Sequence, residues 1–188
     1  DAETALARLT DPAPVAGRYP GPWQSEDAPA DAPLPTVSAH YVVDEQGEIY
    51  SLVPEEHRAW HAGASSWEGE GDINARAIGV EIVNGGHEFG LPDFPDAQIE
   101  AVIRLLRNIF ARWPELGPKR VVGHSDVAPA RKVDPGERFP WKKLAEAGVA
   151  IWPAPLDTPP DSHDPMSEEQ LHLAIIVYGV ENIGFLKA

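Results

Sequence analysis

Residues 37–53 read VSAHYVVDEQGEIYSLV, and residues 77–84 read AIGVEIVN. The first stretch sets two runs of β-branched and aromatic residues around DEQG, an acidic turn with a glycine. That pattern predicts two neighbouring strands. The second is short, apolar and closed by Gly85-Gly86, and predicts a third strand. Further along, DAQIEAVIRLLRNIFARW (96–113) repeats Ile99, Val102, Ile103, Leu106, Ile109, Phe110 and Trp113 at three- and four-residue steps. This is the stripe of an amphipathic helix, with Asp96 as the expected N-cap and Pro114 as the stop. KRVVG (119–123) predicts a short fourth strand that delivers the chain to His124. ETALARLT (3–10) and PWKKLAEAG (140–148) predict two shorter helices.

The 188 residues suffice for one domain with a real core. The chain is 43% hydrophobic and 24% charged, as globular domains are. No apolar run approaches the length of a membrane span. A net charge of -15 argues against nucleic acid as a partner, which calls for a basic face. With no cysteine, any metal must be held by His, Asp or Glu. Composition leaves the compartment and the oligomeric state open. The chain starts at Asp1 with no basic or apolar leader, and its start reads as trimmed.

The expected organisation is a body over 1–152, interrupted at 16–36 by a Pro-rich insertion with five prolines. A Pro-rich linker follows at 153–166. Residues 167–188 open with Ser167 and Gln170 in a capping-box arrangement and predict one apolar helix through SEEQLHLAIIVYGV.

The chemistry concentrates in GHSDVAPARKVDPG (123–136). His124 and Asp134 stand ten positions apart in a stretch with two prolines and no helical period, which reads as a loop. Alone, Asp134-Pro135-Gly136 is common turn chemistry, but imidazole and carboxylate together also suit Zn²⁺. Lys132 is either a surface lysine or a cation able to stabilise a developing oxyanion. Glu81 faces away from Val80 and Ile82 in its strand, which from the strand alone points it to solvent. In a pocket it would be a general base. Trp60 and His61 in RAWHAG read as packing or as the wall of a cleft, and His40 equally as a core or a cleft histidine. His57, His87, His163 and His172 carry no supporting partners.

Taken together, VSAHYVVDEQGEIYSLV, RAWHAG, NARAIGVEIVN, the helix from Asp96 and VVGHSDVAPARKVDPG followed by FPW resemble the type 2 N-acetylmuramoyl-L-alanine amidases. These zinc enzymes share their fold with peptidoglycan recognition proteins. The pieces run in family order over roughly 37–152. The resemblance implies an α/β fold, a mixed central sheet flanked by helices with a zinc cleft on one face. It implies hydrolysis of the amide between N-acetylmuramic acid and L-alanine in peptidoglycan or muropeptides. It implies His124 and Asp134 as zinc ligands, Glu81 as general base and Lys132 as the transition-state cation. His40, Trp60, His61, Asn74 and Arg131 would line the substrate cleft.

The resemblance also implies a departure. The family's third zinc ligand is a histidine on a first strand ahead of the ETALARL segment, and nothing precedes that segment here but Asp1 and Ala2. The sheet is therefore expected to lack its first strand. Residues 167–188 would begin a truncated peptidoglycan-binding extension. A non-catalytic peptidoglycan-binding module is the alternative function.

Overall fold

A computed structural model describes residues 1–19 and 29–152, and the backbone of 174–179. Helix α1 (Ala2–Thr10) starts where the Asp1 carboxylate accepts from the Thr4 amide. Strands β1 (Tyr41–Val43) and β2 (Ile49–Ser51) flank the DEQG turn, as their sequence predicts. Asp44 closes that turn by accepting from the amides of Gln46 and Glu48 at 2.9 and 2.8 Å. Strand β3 (Ala77–Ile82) follows, then α2 (Asp96–Arg112), β4 (Val121–Gly123), α3 (His124–Val127) and α4 (Trp141–Glu146). Strand β5 (Ala174–Gly179) completes the sheet.

The strand order is β2-β1-β3-β5-β4. The β1–β2 pair is an antiparallel hairpin, and the other three pairings are parallel. The fold is thus mixed α/β with a small mixed sheet. Among the described residues no helix is long and apolar enough to cross a membrane.

Three expectations need correction. Residues 174–179 are a strand and not part of a helix. Ala-Ile-Ile-Val-Tyr-Gly is apolar throughout and rich in β-branched residues, so its period does not distinguish buried strand from buried helix. The position between β3 and β4 decides it, because both neighbours present edges that need backbone partners. Strand β5 thus lies between β3 and β4, and the first element among the described residues is α1. The rest of 167–188, the linker at 153–166 and residues 20–28 of the Pro-rich insertion lie outside the described residues. Second, Asp96 is the first helical residue of α2 and Pro95 the cap; the Asp96 carboxylate instead pairs with Lys143 at 2.6 Å. Third, the 123–136 stretch is not all loop, since its residues 124–127 form the single turn α3.

The main core lies between the sheet and α2. Ile78, Val80 and Ile82 of β3 meet Ile99, Val102, Leu106 and Ile109 of the helix. Burying each such side chain contributes roughly 1.5–3 kcal/mol. The buried Gln98 side-chain amide ties α2 to the strands by donating to the carbonyls of Val43 and Val83. On the other side of the sheet, α1 places Ala5 and Leu9 against Val42 and Val83. A separate small cluster joins Ala62, Ile73, Ala77 and Val127.

Candidate functional site

The site occupies the gap between those two small clusters, on the β3 face away from α2. Ala77 and Val83 of this face belong to one cluster each, and Gly79 and Glu81 lie between them. Glu81 is 4% exposed, so the solvent-facing orientation expected from the strand alone does not occur. Period-two alternation says which face a residue takes but not whether another layer covers that face.

The ten-residue separation of His124 and Asp134 is closed by backbone geometry. The Gly123 amide donates to the Asp126 carboxylate at 2.7 Å, which turns β4 into α3. The Arg131 and Lys132 amides both donate to the Ala128 carbonyl. The Ser125 amide then donates to the Asp134 carbonyl at 2.9 Å, so the returning chain lies beside the helical turn. Gly123 allows that close return, because a Cβ there would sit 2.9 Å from Pro135. As a result His124 Nδ1 and Asp134 Oδ2 are 3.1 Å apart, both buried. His124 Nε2 lies 3.2 Å from the Ala62 carbonyl.

The electrostatics are unusual for a protein interior. Asp134 Oδ1 and Glu81 Oε2 are buried without a hydrogen-bond partner among the described residues. Burial pushes the Glu81 carboxyl up to about 8, and the Asp134 charge pushes in the same direction against Lys132. Burial lowers the His124 pKa, with Asp134 opposing. Lys132 is itself buried, at 5% exposure, so it is not the surface lysine its residue type would suggest. Buried acceptors of this kind demand a cation or a donor.

Other candidates divide by role. His40 accepts from the Gly79 amide through Nδ1 at 2.9 Å, so Nε2 carries the proton that it donates to the His57 carbonyl. That makes His40 a crosslink between β3 and the segment beyond β2. Asn74 Oδ1 accepts from the amides of both His61 and Ala62, at 2.8 and 2.7 Å, and so shapes the RAWHAG segment. The His61 ring lies against Gly79, where a Cβ would come within 2.5 Å of it. Burial, with the neighbouring His40 and His124, lowers its pKa to about 3, which keeps the imidazole neutral.

Trp60 does not share that cluster. It is 53% exposed, and the Arg58 guanidinium stacks 4.1 Å from its ring centroid. Arg58 in turn forms a two-bond pair with Asp72. Sequence reasoning missed Arg58, Asp72 and the role of Gly79. A glycine inside a strand was the one available signal. His87 pairs with Glu137 at 2.8 Å, while His163 and His172 lie outside the described residues.

A cleft of about 350 Å³ opens over this arrangement. Trp60, His61, Asn74, His124, Arg131 and Lys132 all line it, whereas Glu81 and Asp134 are not part of its lining. The donors for a metal are the imidazole of His124 and the carboxylate of Asp134. Their facing atoms and the orphaned Asp134 oxygen fit zinc as two of its ligands. No group of three such residues occurs among the described residues.

The chain is similar to known amidases in sequence and in fold. E. coli AmiD, an N-acetylmuramoyl-L-alanine amidase, is 42% identical over 129 residues, 62% of this chain and 46% of that protein. Haemophilus influenzae AmpD, a 1,6-anhydro-N-acetylmuramyl-L-alanine amidase, is 37% identical over 107 residues, 57% of this chain and 56% of that one. The chain thus spans about half the length of the curated relatives it matches. The structure of AmiD with anhydro-N-acetylmuramic acid-L-Ala-D-gamma-Glu-L-Lys aligns with a TM-score of 0.65 at 37% identity. It covers 82% of this chain and 55% of that one. The family model for N-acetylmuramoyl-L-alanine amidases matches residues 2–137, and the chain belongs to that family.

Proposed function

We propose that this chain hydrolyses the amide between N-acetylmuramic acid and L-alanine in muropeptides, with zinc held by His124 and Asp134. The observation that carries the reading is the pair of orphaned carboxylate oxygens, on Glu81 and Asp134, buried beside His124. Two relatives were solved with muropeptides, AmiD as above and Pseudomonas aeruginosa AmpDh3 with an anhydromuramic pentapeptide. Anhydro-muramyl peptides are therefore the substrate class to try first.

Zinc, when bound, supplies Lewis-acid polarisation of the scissile carbonyl. The cleft residues Trp60 and His61 bind and orient the muramyl peptide. Glu81 takes the proton of the attacking water on its carboxylate and passes it to the leaving amine nitrogen. Burial beside Asp134 makes it a stronger base than an exposed glutamate. A bound cation would counter that burial and favour its ionised form. The Lys132 ammonium, buried and acting on Glu81, would stabilise the negative charge that grows on the carbonyl oxygen, in an interior where such charges count more than in water.

The second reading is a peptidoglycan-binding module without turnover. It is favoured by the absence, among the described residues, of a group of three side chains able to hold a metal. Mass spectrometry of an anhydro-muramyl tetrapeptide incubated with zinc-loaded protein separates the two. Free stem peptide supports hydrolysis, and unchanged substrate with measurable affinity supports the binding module. Asp134→Ala should lower zinc stoichiometry measured by elemental analysis. Unchanged zinc content would remove Asp134 from the ligand set.

A further inference from the structure

Arg131 lines the cleft, but one of its amino groups already serves the backbone. Its Nη2 donates one proton to the Ala62 carbonyl at 2.8 Å and the other to the Ala64 carbonyl at 3.0 Å, so its 3.5 Å approach to His124 Nε2 is a contact with no proton left to donate. Between them Gly63 adopts a φ of +59°, and a Cβ there would stand 3.0 Å from the same nitrogen. The guanidinium therefore pins a tight turn whose middle residue has no side chain to keep it away. The Ala62 carbonyl held by this clamp also faces His124 Nε2 at 3.2 Å. A carbonyl accepts two hydrogen bonds, so it can serve both groups.

The Ala62 carbonyl matters to metal binding because of the two histidine tautomers. His124 Nδ1 faces Asp134. If the proton sits on Nδ1, that nitrogen donates to Asp134 and has no lone pair for a metal. If the proton sits on Nε2, it donates to the Ala62 carbonyl and Nδ1 carries the lone pair that a metal needs. An acceptor fixed beside Nε2 thus selects the metal-binding form, the usual service of a ligand's outer hydrogen bond.

We infer that Arg131 is a positioning residue: it clamps residues 62–64 so that the Ala62 carbonyl holds His124 in its metal-binding tautomer. The inference rests on the reading of His124 and Asp134 as zinc ligands. It makes a prediction of unusual sign. A cation near a Zn²⁺ site repels the metal, so losing a merely neighbouring arginine would tighten zinc binding. Losing a pure substrate contact would leave zinc binding unchanged. Losing the clamp should weaken it.

The test measures zinc affinity by chelator competition for the wild-type chain, Arg131→Ala and Arg131→Lys. Proton exchange at His124 Nε2 is followed by NMR in the zinc-loaded forms. Arg131→Ala should bind zinc about tenfold more weakly, the lower end for outer-shell partners. Its Nε2 proton should exchange faster. Arg131→Lys, whose ammonium is a point charge without the planar fork, should recover part of both effects. It also provides the reading if Arg131→Ala does not fold. Equal or tighter zinc binding in the variants, or an Nε2 proton as slow as in the wild type, overturns the inference alone. A wild-type chain that binds no zinc overturns the ligand reading and the inference with it.

Discussion

The two faces of β3 are equally buried and opposite in chemistry. Ile78, Val80 and Ile82 face α2 in a core that is almost wholly hydrocarbon. Gly79 and Glu81, on the other face, look into a gap holding His61, Lys132 and Asp134, all of them buried and polar. A hydrocarbon face is satisfied by packing, which is non-directional and tolerates exchange of one apolar residue for another of similar volume. The polar face is satisfied only by particular partners, and here two carboxylate oxygens lack theirs.

Two glutamates make the same contrast. Glu55 accepts from Tyr41, Trp113 and two nitrogens of Arg112, at the C-terminal end of α2. Burial alone would raise its pKa, but those donors overcome it and bring the group to about 2. Glu81, without them, goes to about 8. The first is a structural tie; the second is the perturbed carboxyl that the proposed reaction would use as its base.

Breaking the polar face should give the largest effect. Glu81→Gln is expected to retain zinc and muropeptide binding while turnover falls by roughly two to four orders of magnitude. Near-normal turnover in a single-turnover assay would exclude Glu81 as the base. On the hydrocarbon face, Leu106→Ala removes a fully buried side chain from the α2 stripe. Its cost should be about 2–5 kcal/mol in urea unfolding, with zinc stoichiometry unchanged in the folded protein. A smaller loss would mean that the core collapses around the cavity.

Gly79→Ala probes the boundary between the two behaviours. The added methyl would meet the His61 ring at 2.5 Å, so the ring must move into the cleft. A loss of about 1–3 kcal/mol is expected, with a raised KM for muropeptide. If both stability and KM stay put, the ring is not fixed by this contact. The smallest effect concerns acid. The Glu55 folded pKa lies below its ordinary 4.5, so its contribution is present above pH 4.5 and is lost as pH falls towards 2. Glu55→Gln should lower stability at neutral pH and flatten the decline through that window. An unchanged acid limb in thermal melts would show that other carboxylates govern it.

Much of this was legible in the chain. The spacing of Ile99, Val102, Leu106 and Ile109 makes a helix stripe in any context, and DEQG between two β-branched runs makes a hairpin. The conjunction of His124, Lys132 and Asp134 in one short segment marked the site, since residues close in sequence need only a turn to meet. Less was legible where a residue's fate depends on what arrives from far away. Glu81 carries the same period-two signal whether water or a second layer covers it. Residues 174–179 carry no period at all, and only the edges of β3 and β4 make them a strand.

The sequence by itself determined most local elements and brought the imidazole, ammonium and carboxylate of the site onto one short segment, because periodicity and turn chemistry act over a few residues. Only the tertiary structure decided that Glu81 is buried, that residues 174–179 lie between two strands, and that a carbonyl sixty-two positions from His124 faces its second nitrogen. Each of these depends on desolvation and on satisfying buried polar groups, and those forces are set by neighbours in space and not by neighbours along the chain.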